Sequence, residues 1–288
     1  MSVEKSNLQM ILEAGHFSVS GEIGPPMSAD AEIVREKARE IAGLVDAANV
    51  TDCQTAIVRM SSVAASCLLN EEGVEPVLQM TCRDRNRIAI QSDLLGACAL
   101  GIKNLLVLSG DHQRFGNHPQ SKNVFDVDSI QLIKALNDQM ENSVFMSGSK
   151  TKMPARFFLG ASANPFADPE DLQLIRLEKK VDAGARFIQT QAIYNMERFR
   201  SWMEKVRERG LHEKTHILAG IVVNKSLKSI EMTGIVPGMD IPDALIERMR
   251  NAEDKQAEGV AIALDLIEEI RKLLDLMQLP KIVTLLVE

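Results

Sequence analysis

No stretch of this chain is apolar over a length that would cross a membrane. Met1 to Ala14 mixes Glu4, Lys5 and Glu13 with short apolar stretches, which is not the pattern of an export signal. Cysteine is scarce. Cys53, Cys67, Cys82 and Cys98 contain no close pair and no Cys-x-x-Cys, so they read as reduced thiols of a cytoplasmic protein. A zinc or iron–sulfur site made by this chain alone is not expected. An excess of positive charge is lacking too: 33 Lys and Arg against 40 Asp and Glu leave a formal charge of −7. That balance argues against a nucleic acid or an anionic membrane as partner. There is no Gly-x-Gly-x-x-Gly and no Walker loop, hence no Rossmann or P-loop nucleotide site, and no Gly-x-Ser-x-Gly elbow. Of the five histidines only His212 and His216 stand four apart. They straddle a turn into a strand rather than sharing a helix face, so no metal site is expected there.

What is present is an ordinary globular composition, 45% hydrophobic and 25% charged over 288 residues, enough for one large core. Short apolar runs alternate with helical patterns almost from end to end. The strand candidates are Phe17–Ile23, Ala47–Val50, Val74–Thr81, Asn104–Ser109, Arg156–Ser162, Arg186–Gln191, Thr215–Val222 and Lys281–Val287. Leu105 to Leu108 are continuously apolar, as in a strand buried on both faces. Ala31–Val45, Arg87–Leu100 and Leu172–Ala183 carry helical periodicity. Gly101 and Gly184 stand as helix stops, and Asp168 beside Pro169 as a helix start.

Eight strands in such alternation predict a single α/β domain over 1–288, a closed (β/α)8 TIM barrel rather than an open doubly wound sheet. Ser6–Ala14 predicts an extra N-terminal helix. The sequence stops at Glu288, where the eighth strand should stop, so the final barrel helix is expected to be missing. Either the extra helix covers the barrel bottom or a partner subunit covers the bare flank. Ser143–Pro154 reads as an outer loop, Ser147-Gly148-Ser149-Lys150 as a plain turn within it, and Met232, Met239 and Met249 as packing.

In a barrel the chemistry collects at the C-terminal ends of the strands. Glu22 ends strand one, where an apolar setting would raise its pKa and suit a general acid; a solvent-exposed carboxylate is the alternative. Thr51 and Asp52 follow strand two, Thr81, Arg83 and Arg85 strand three, and Ser109-Gly110-Asp111 strand four. Ser162 closes strand five, with Asn164 after it, and Gln189 and Gln191 end strand six. Arg83 and Arg85 either hold a phosphate by paired hydrogen bonds or are solvated loop charges.

These rim residues resemble a known family. Ser20-Gly21-Glu22-Ile23-Gly24-Pro25-Pro26 is similar to the first-strand motif of methylenetetrahydrofolate reductases. Thr81 to Asn86, Gln91 to Ala97, Ser109-Gly110-Asp111, Ala163 to Pro169 and Lys179 to Ala185 resemble one branch of that family, in order from about Phe17 to Val222. The resemblance implies a barrel that holds FAD, with FMN the alternative, and reduces 5,10-methylenetetrahydrofolate to 5-methyltetrahydrofolate in one-carbon metabolism. It assigns Glu22 as the general acid on folate N10 and Asp111 as the acidic group near flavin and folate. Thr51, Asn164, Asp168 and Lys180 fall on flavin-contacting positions, with Ser162 and Gly110 beside them, and Gln191 on the one that meets the pterin. Gln79 and Ser109 stand where the best-known bacterial form has a histidine and an arginine, and Asp168 where another histidine is common. The implied electron donor is NAD(P)H or a partner subunit, and the implied assembly a homo-oligomer or a complex with an electron-transfer subunit. Three other readings share the fold: the same chemistry run oxidatively, a folate- or flavin-binding subunit, and a corrinoid-linked methyltransferase.

Overall fold

The computed structural model describes residues 4–236, 238–277 and 282–286, the last of these as backbone. Eight strands are present: β1 Ser18–Ile23, β2 Ala47–Val50, β3 Pro76–Thr81, β4 Asn104–Leu108, β5 Phe158–Ala163, β6 Phe187–Ala192, β7 His216–Val222 and β8 Ile282–Leu286. Each pairs in parallel with the next and β8 pairs with β1, so the sheet is a closed barrel. Every strand expected from the sequence is there, with its described ends unchanged or moved by at most two residues. The end of the eighth expected strand at Val287 lies outside the described residues, as does the question of a helix after it.

Helix α1 Asn7–Glu13 precedes the barrel. Single helices α2 Glu32–Ile41, α3 Ser62–Glu71, α4 Arg87–Ala99, α5 Ser129–Asn142, α6 Glu170–Asp182 and α7 Met196–Glu208 connect the first seven strands. Among the described residues the last connection carries three: α8 Leu227–Ile235, α9 Asp243–Asn251 and α10 Lys255–Leu276. Local chemistry explains several boundaries. Asn86 accepts hydrogen bonds from the Ile88 and Ala89 N–H groups at the start of α4. Asp128 and Gln131 form a reciprocal capping box on α5. Gly101 and Gly184 follow α4 and α6 at φ +87° and +121°. The expected start of α6 is corrected by one residue: Pro169 is the N-cap and Asp168 makes no capping bond. A capping carboxylate has to sit on the N-cap residue itself, and Asp168 lies one position too early.

Two apolar layers build the barrel. Outside, the strands' outward residues pack against the helices, with Leu78, Met80, Leu105, Val107, Leu159, Ile188 and Ile221 among those buried. Inside, at the N-terminal end, Ala47, Val77, Leu106, Phe158, Phe187 and Leu218 form a separate cluster closed by Leu8 and Leu12 of α1. The extra helix therefore covers the bottom of the barrel. Glu75 fastens it by accepting the Asn7 and Leu8 backbone N–H groups at 2.7 and 2.9 Å, where a helix N-terminus favours negative charge. Gly160 has to be glycine, since a Cβ there would meet the Phe187 ring at 2.2 Å. Phe187 in turn stacks on Phe158, centroids 5.1 Å apart. Of the three methionines expected to pack, Met249 is buried and Met239 lies against the core, but Met232 is exposed at 56%, on the outer side of α8.

Leu12→Ala is expected to lower unfolding stability by about 2–5 kcal/mol, since it opens a cavity under the barrel floor. A urea titration with unchanged slope checks this. A loss below about 0.5 kcal/mol would mean that α1 is not part of the core.

Candidate active site

Side chains alternate along a strand, so every second residue faces the barrel interior. Followed toward the C-terminal ends, these inward positions change character. On β2 they run Ala47, Asn49, Thr51; on β3 Val77, Gln79, Thr81; on β5 Phe158, Gly160, Ser162; on β6 Phe187, Gln189, Gln191. The apolar floor thus gives way to amides and hydroxyls, which line a cavity of about 510 Å³ at the C-terminal rim. That volume lies in the range of small-molecule sites.

Ten of the eleven positions that the resemblance assigned to the site line this cavity together: Glu22, Thr51, Gln79, Ser109, Gly110, Asp111, Ser162, Asn164, Lys180 and Gln191. Glu22, the last inward residue of β1, is half-buried and sits beside Asn49 of β2 in the sheet register. Gln191 is exposed at the mouth, just where a register shift between Gln189 and Ala192 re-aims the end of β6. Asp168 is the exception: it is exposed and does not line the cavity. Ser109, expected within β4, lies just past its end and donates to Ser129 Oγ at 3.3 Å. Gly110 adopts φ +90°, and a Cβ there would lie 3.0 Å from Thr81 Cβ, so a side chain would wedge apart the ends of β3 and β4.

The arginines after β3 are not a phosphate fork. Arg85 donates from Nη1 and Nη2 to the buried Asp52 carboxylate at 2.7 and 3.2 Å, and from Nε to Asp93 at 3.0 Å. Asp52 also accepts Thr81 N–H at 2.9 Å, Thr81 Oγ1–H at 2.8 Å and Ser62 Oγ–H at 3.2 Å. Arg83 is only 2% exposed and has its donors on Asp84 and on two backbone carbonyls. A buried charge needs such partners, and their number makes both arginines struts of the rim.

Polar capacity nevertheless remains in the cavity. Thr51 Oγ1 and Gln189 Oε1 are buried without a hydrogen-bond partner among the described residues. Leaving such atoms unpaired is costly, so both fit a site that completes its hydrogen bonds on a polar ligand. Lys180 Nζ donates to the Ser162 carbonyl at 2.6 Å. Burial, reinforced by the nearby Arg176 charge, pulls its pKa down to about 8. Asp111 Oδ2 accepts the Thr55 N–H at 3.0 Å, which ties the loop after β4 to the loop after β2.

Sequence reasoning missed Gln173, Leu177 and Arg176, which reach the cavity from α6 together with Lys180. Spacing could have found the polar ones: Gln173, Arg176 and Lys180 lie three and four residues apart on one helical stripe, beside the apolar Leu174, Leu177 and Val181.

The methylenetetrahydrofolate reductase family profile matches residues 7–283 of the chain. A probable methylenetetrahydrofolate reductase (NADPH) of Caenorhabditis elegans is 26% identical over 224 residues, covering 76% of this chain and 31% of that protein. The 5,10-methylenetetrahydrofolate reductase of Pectobacterium carotovorum subsp. carotovorum is 22% identical over 204 residues, covering 68% of this chain and 61% of that one. This chain thus spans about a third of the worm relative and under two thirds of the bacterial one. Among solved structures, an uncharacterized Clostridium thermocellum protein that binds two copies of 5-methyl-5,6,7,8-tetrahydrofolic acid matches with a TM-score of 0.70. It does so at 15% identity, over 98% of this chain and 92% of its own. With the family profile running from α1 into β8, the chain belongs to the methylenetetrahydrofolate reductase family.

Proposed function

We propose that this chain reduces 5,10-methylenetetrahydrofolate to 5-methyltetrahydrofolate. The residues at the strand C-terminal ends would hold a flavin, FAD or FMN, which would supply the hydride. The observation that carries the reading is that Glu22, Asp111, Lys180 and Gln191 line one cavity whose wall also holds the unpartnered Thr51 Oγ1 and Gln189 Oε1. Those two atoms, with Gln79, Ser109, Ser162 and Asn164, offer the mixture of hydroxyl and amide groups that a flavin's ring edge and ribityl chain require.

In this reading Glu22 delivers a proton to folate N10, so that the C–N10 bond breaks and the methylene carbon becomes an electrophilic iminium. Asp111 faces that developing positive charge and lowers its energy, an effect strengthened where water is excluded. Gln191, at the mouth, carries both an amide donor and an acceptor for the pterin edge. Lys180 would hold an oxygen-rich, anionic part of the flavin. NAD(P)H is the proposed electron donor, with a partner subunit as the alternative source.

The first test is the visible absorption spectrum of purified protein, with release of any chromophore. Flavin bands, and FAD or FMN on release, are expected. A colourless protein that takes up neither FAD nor FMN would overturn the reading. Glu22→Gln should keep flavin bound and reducible while methylenetetrahydrofolate-dependent reoxidation falls about 10²–10⁴-fold. Near-normal turnover in that variant removes Glu22 as the acid.

Lys180 gives the pH dependence. Its free pKa of about 8 means that the ammonium form is lost as pH rises through 8. An anionic ligand favours the charged form and raises that pKa, so binding takes up protons near and above pH 8. Flavin affinity should therefore weaken between pH 7.5 and 9.5, by up to about tenfold per unit. Lys180→Met should bind flavin more weakly and with a flat pH profile. A flat profile in the unsubstituted protein would contradict the role.

A further inference from the structure

Arg83 is among the largest fully buried side chains of the protein, and its guanidinium spends four of its five N–H groups inside it. Nε and Nη2 donate to the two oxygens of Asp84 at 2.8 and 2.6 Å. Nη1 donates to the Asp111 carbonyl at 3.2 Å and Nη2 also to the Cys53 carbonyl at 3.2 Å. One planar fork thus spans the loop after β2 and the loop after β4.

The same two loops meet at three further points. Thr55 N–H reaches Asp111 Oδ2 at 3.0 Å, and Val58 N–H reaches Asn117 Oδ1 at 3.1 Å. Gly116 lies so near Ala56 that a Cβ would be 1.8 Å from the Ala56 carbonyl oxygen. Between them the chain is held in an unfavourable shape: Cys53, Thr55 and Ala56, none of them glycine, have φ of +45°, +56° and +57°. Such a turn persists only where its surroundings over-determine it, and such strain clusters at functional sites.

We infer that Arg83 is a positioning residue: through the Cys53–Ala56 turn it sets the Asp111 carboxylate in the cavity. Its carbonyl bonds hold the turn in the left-handed region, the turn presents the Thr55 N–H, and that N–H fixes Asp111 Oδ2. Asp84 neutralises the Arg83 charge at close range, so the contribution to Asp111 is geometric more than electrostatic. Lysine keeps the charge but has one nitrogen for carbonyls on two loops and cannot reproduce the fork. Where Asp111 acts on flavin and folate, the inference rests on the function proposed above.

The test uses Arg83→Lys, Asp111→Asn, the double variant and Asp84→Asn. Asp84 is half-exposed, so the last loosens the fork with little threat to folding. Hydrogen exchange of residues 53–60 needs no flavin. It should quicken about tenfold or more in Arg83→Lys, and in the same direction but less in Asp84→Asn, with the barrel strands unchanged. On flavin-loaded protein, Arg83→Lys should slow folate-dependent reoxidation about 10²-fold, with flavin affinity within about threefold. Added to Asp111→Asn it should cost less than about threefold more, because both act through one carboxylate. Unchanged exchange at 53–60 in both Arg83→Lys and Asp84→Asn, or fully additive losses in the double variant, overturns the inference. A protein that binds no flavin sinks the proposed function instead, and the exchange result still decides the role of Arg83.

Discussion

Closing eight parallel strands on themselves forces every second side chain into one interior and every strand C-terminus onto one rim. The rest of this molecule follows from how that interior is divided. The lower half is filled with Ala47, Val77, Leu106, Phe158, Phe187 and Leu218, sealed by Leu8 and Leu12. The amides and hydroxyls that line the cavity, with the Glu22 carboxylate, sit above this apolar floor. The boundary between the halves passes through Gly160, whose missing side chain makes room for the Phe187 ring.

A polar rim has its own structural problem, because strand ends and loops carry charge into a partly buried setting. Asp52 answers it by gathering Arg85, Thr81 and Ser62, so that β2, β3 and the start of α3 share one carboxylate. Such a buried pair is weak evidence of net stability, but losing one partner would strand the other charge. Arg83 does for the loops after β2 and β4 what Asp52 does for the strands. Together they hold in place a rim that also carries Lys180, whose ammonium form burial disfavours, and the Thr51 Oγ1 and Gln189 Oε1 atoms, buried without a partner among the described residues. Stability in one set of side chains offsets its lack in another, as binding sites commonly require.

The sequence by itself determined the architecture. Period-two and continuous apolar runs mark all eight strands, and their alternation with helical periodicity requires parallel pairing; the extra helix before β1 is equally plain from Ser6 and the Leu8–Leu12 spacing. It also placed the strand-end residues from Glu22 to Gln191 on one rim, because a strand's end follows from local chain geometry, whereas Gln79 and Lys180 came only with the family resemblance. Tertiary structure decided what local pattern cannot carry. Arg83 and Arg85 look like solvated or phosphate-binding charges until Asp84, Asp52 and the carbonyls of distant loops are brought against them. Asp168 looks like a cap and a site residue until the chain path leaves it outside the cavity, while α6 instead brings Gln173 and Arg176 in. Whether a given polar side chain holds the rim together or waits on a ligand depends largely on which partners folding delivers across about 30 residues of chain. That pairing is set by the closed barrel as a whole and not by any segment of it.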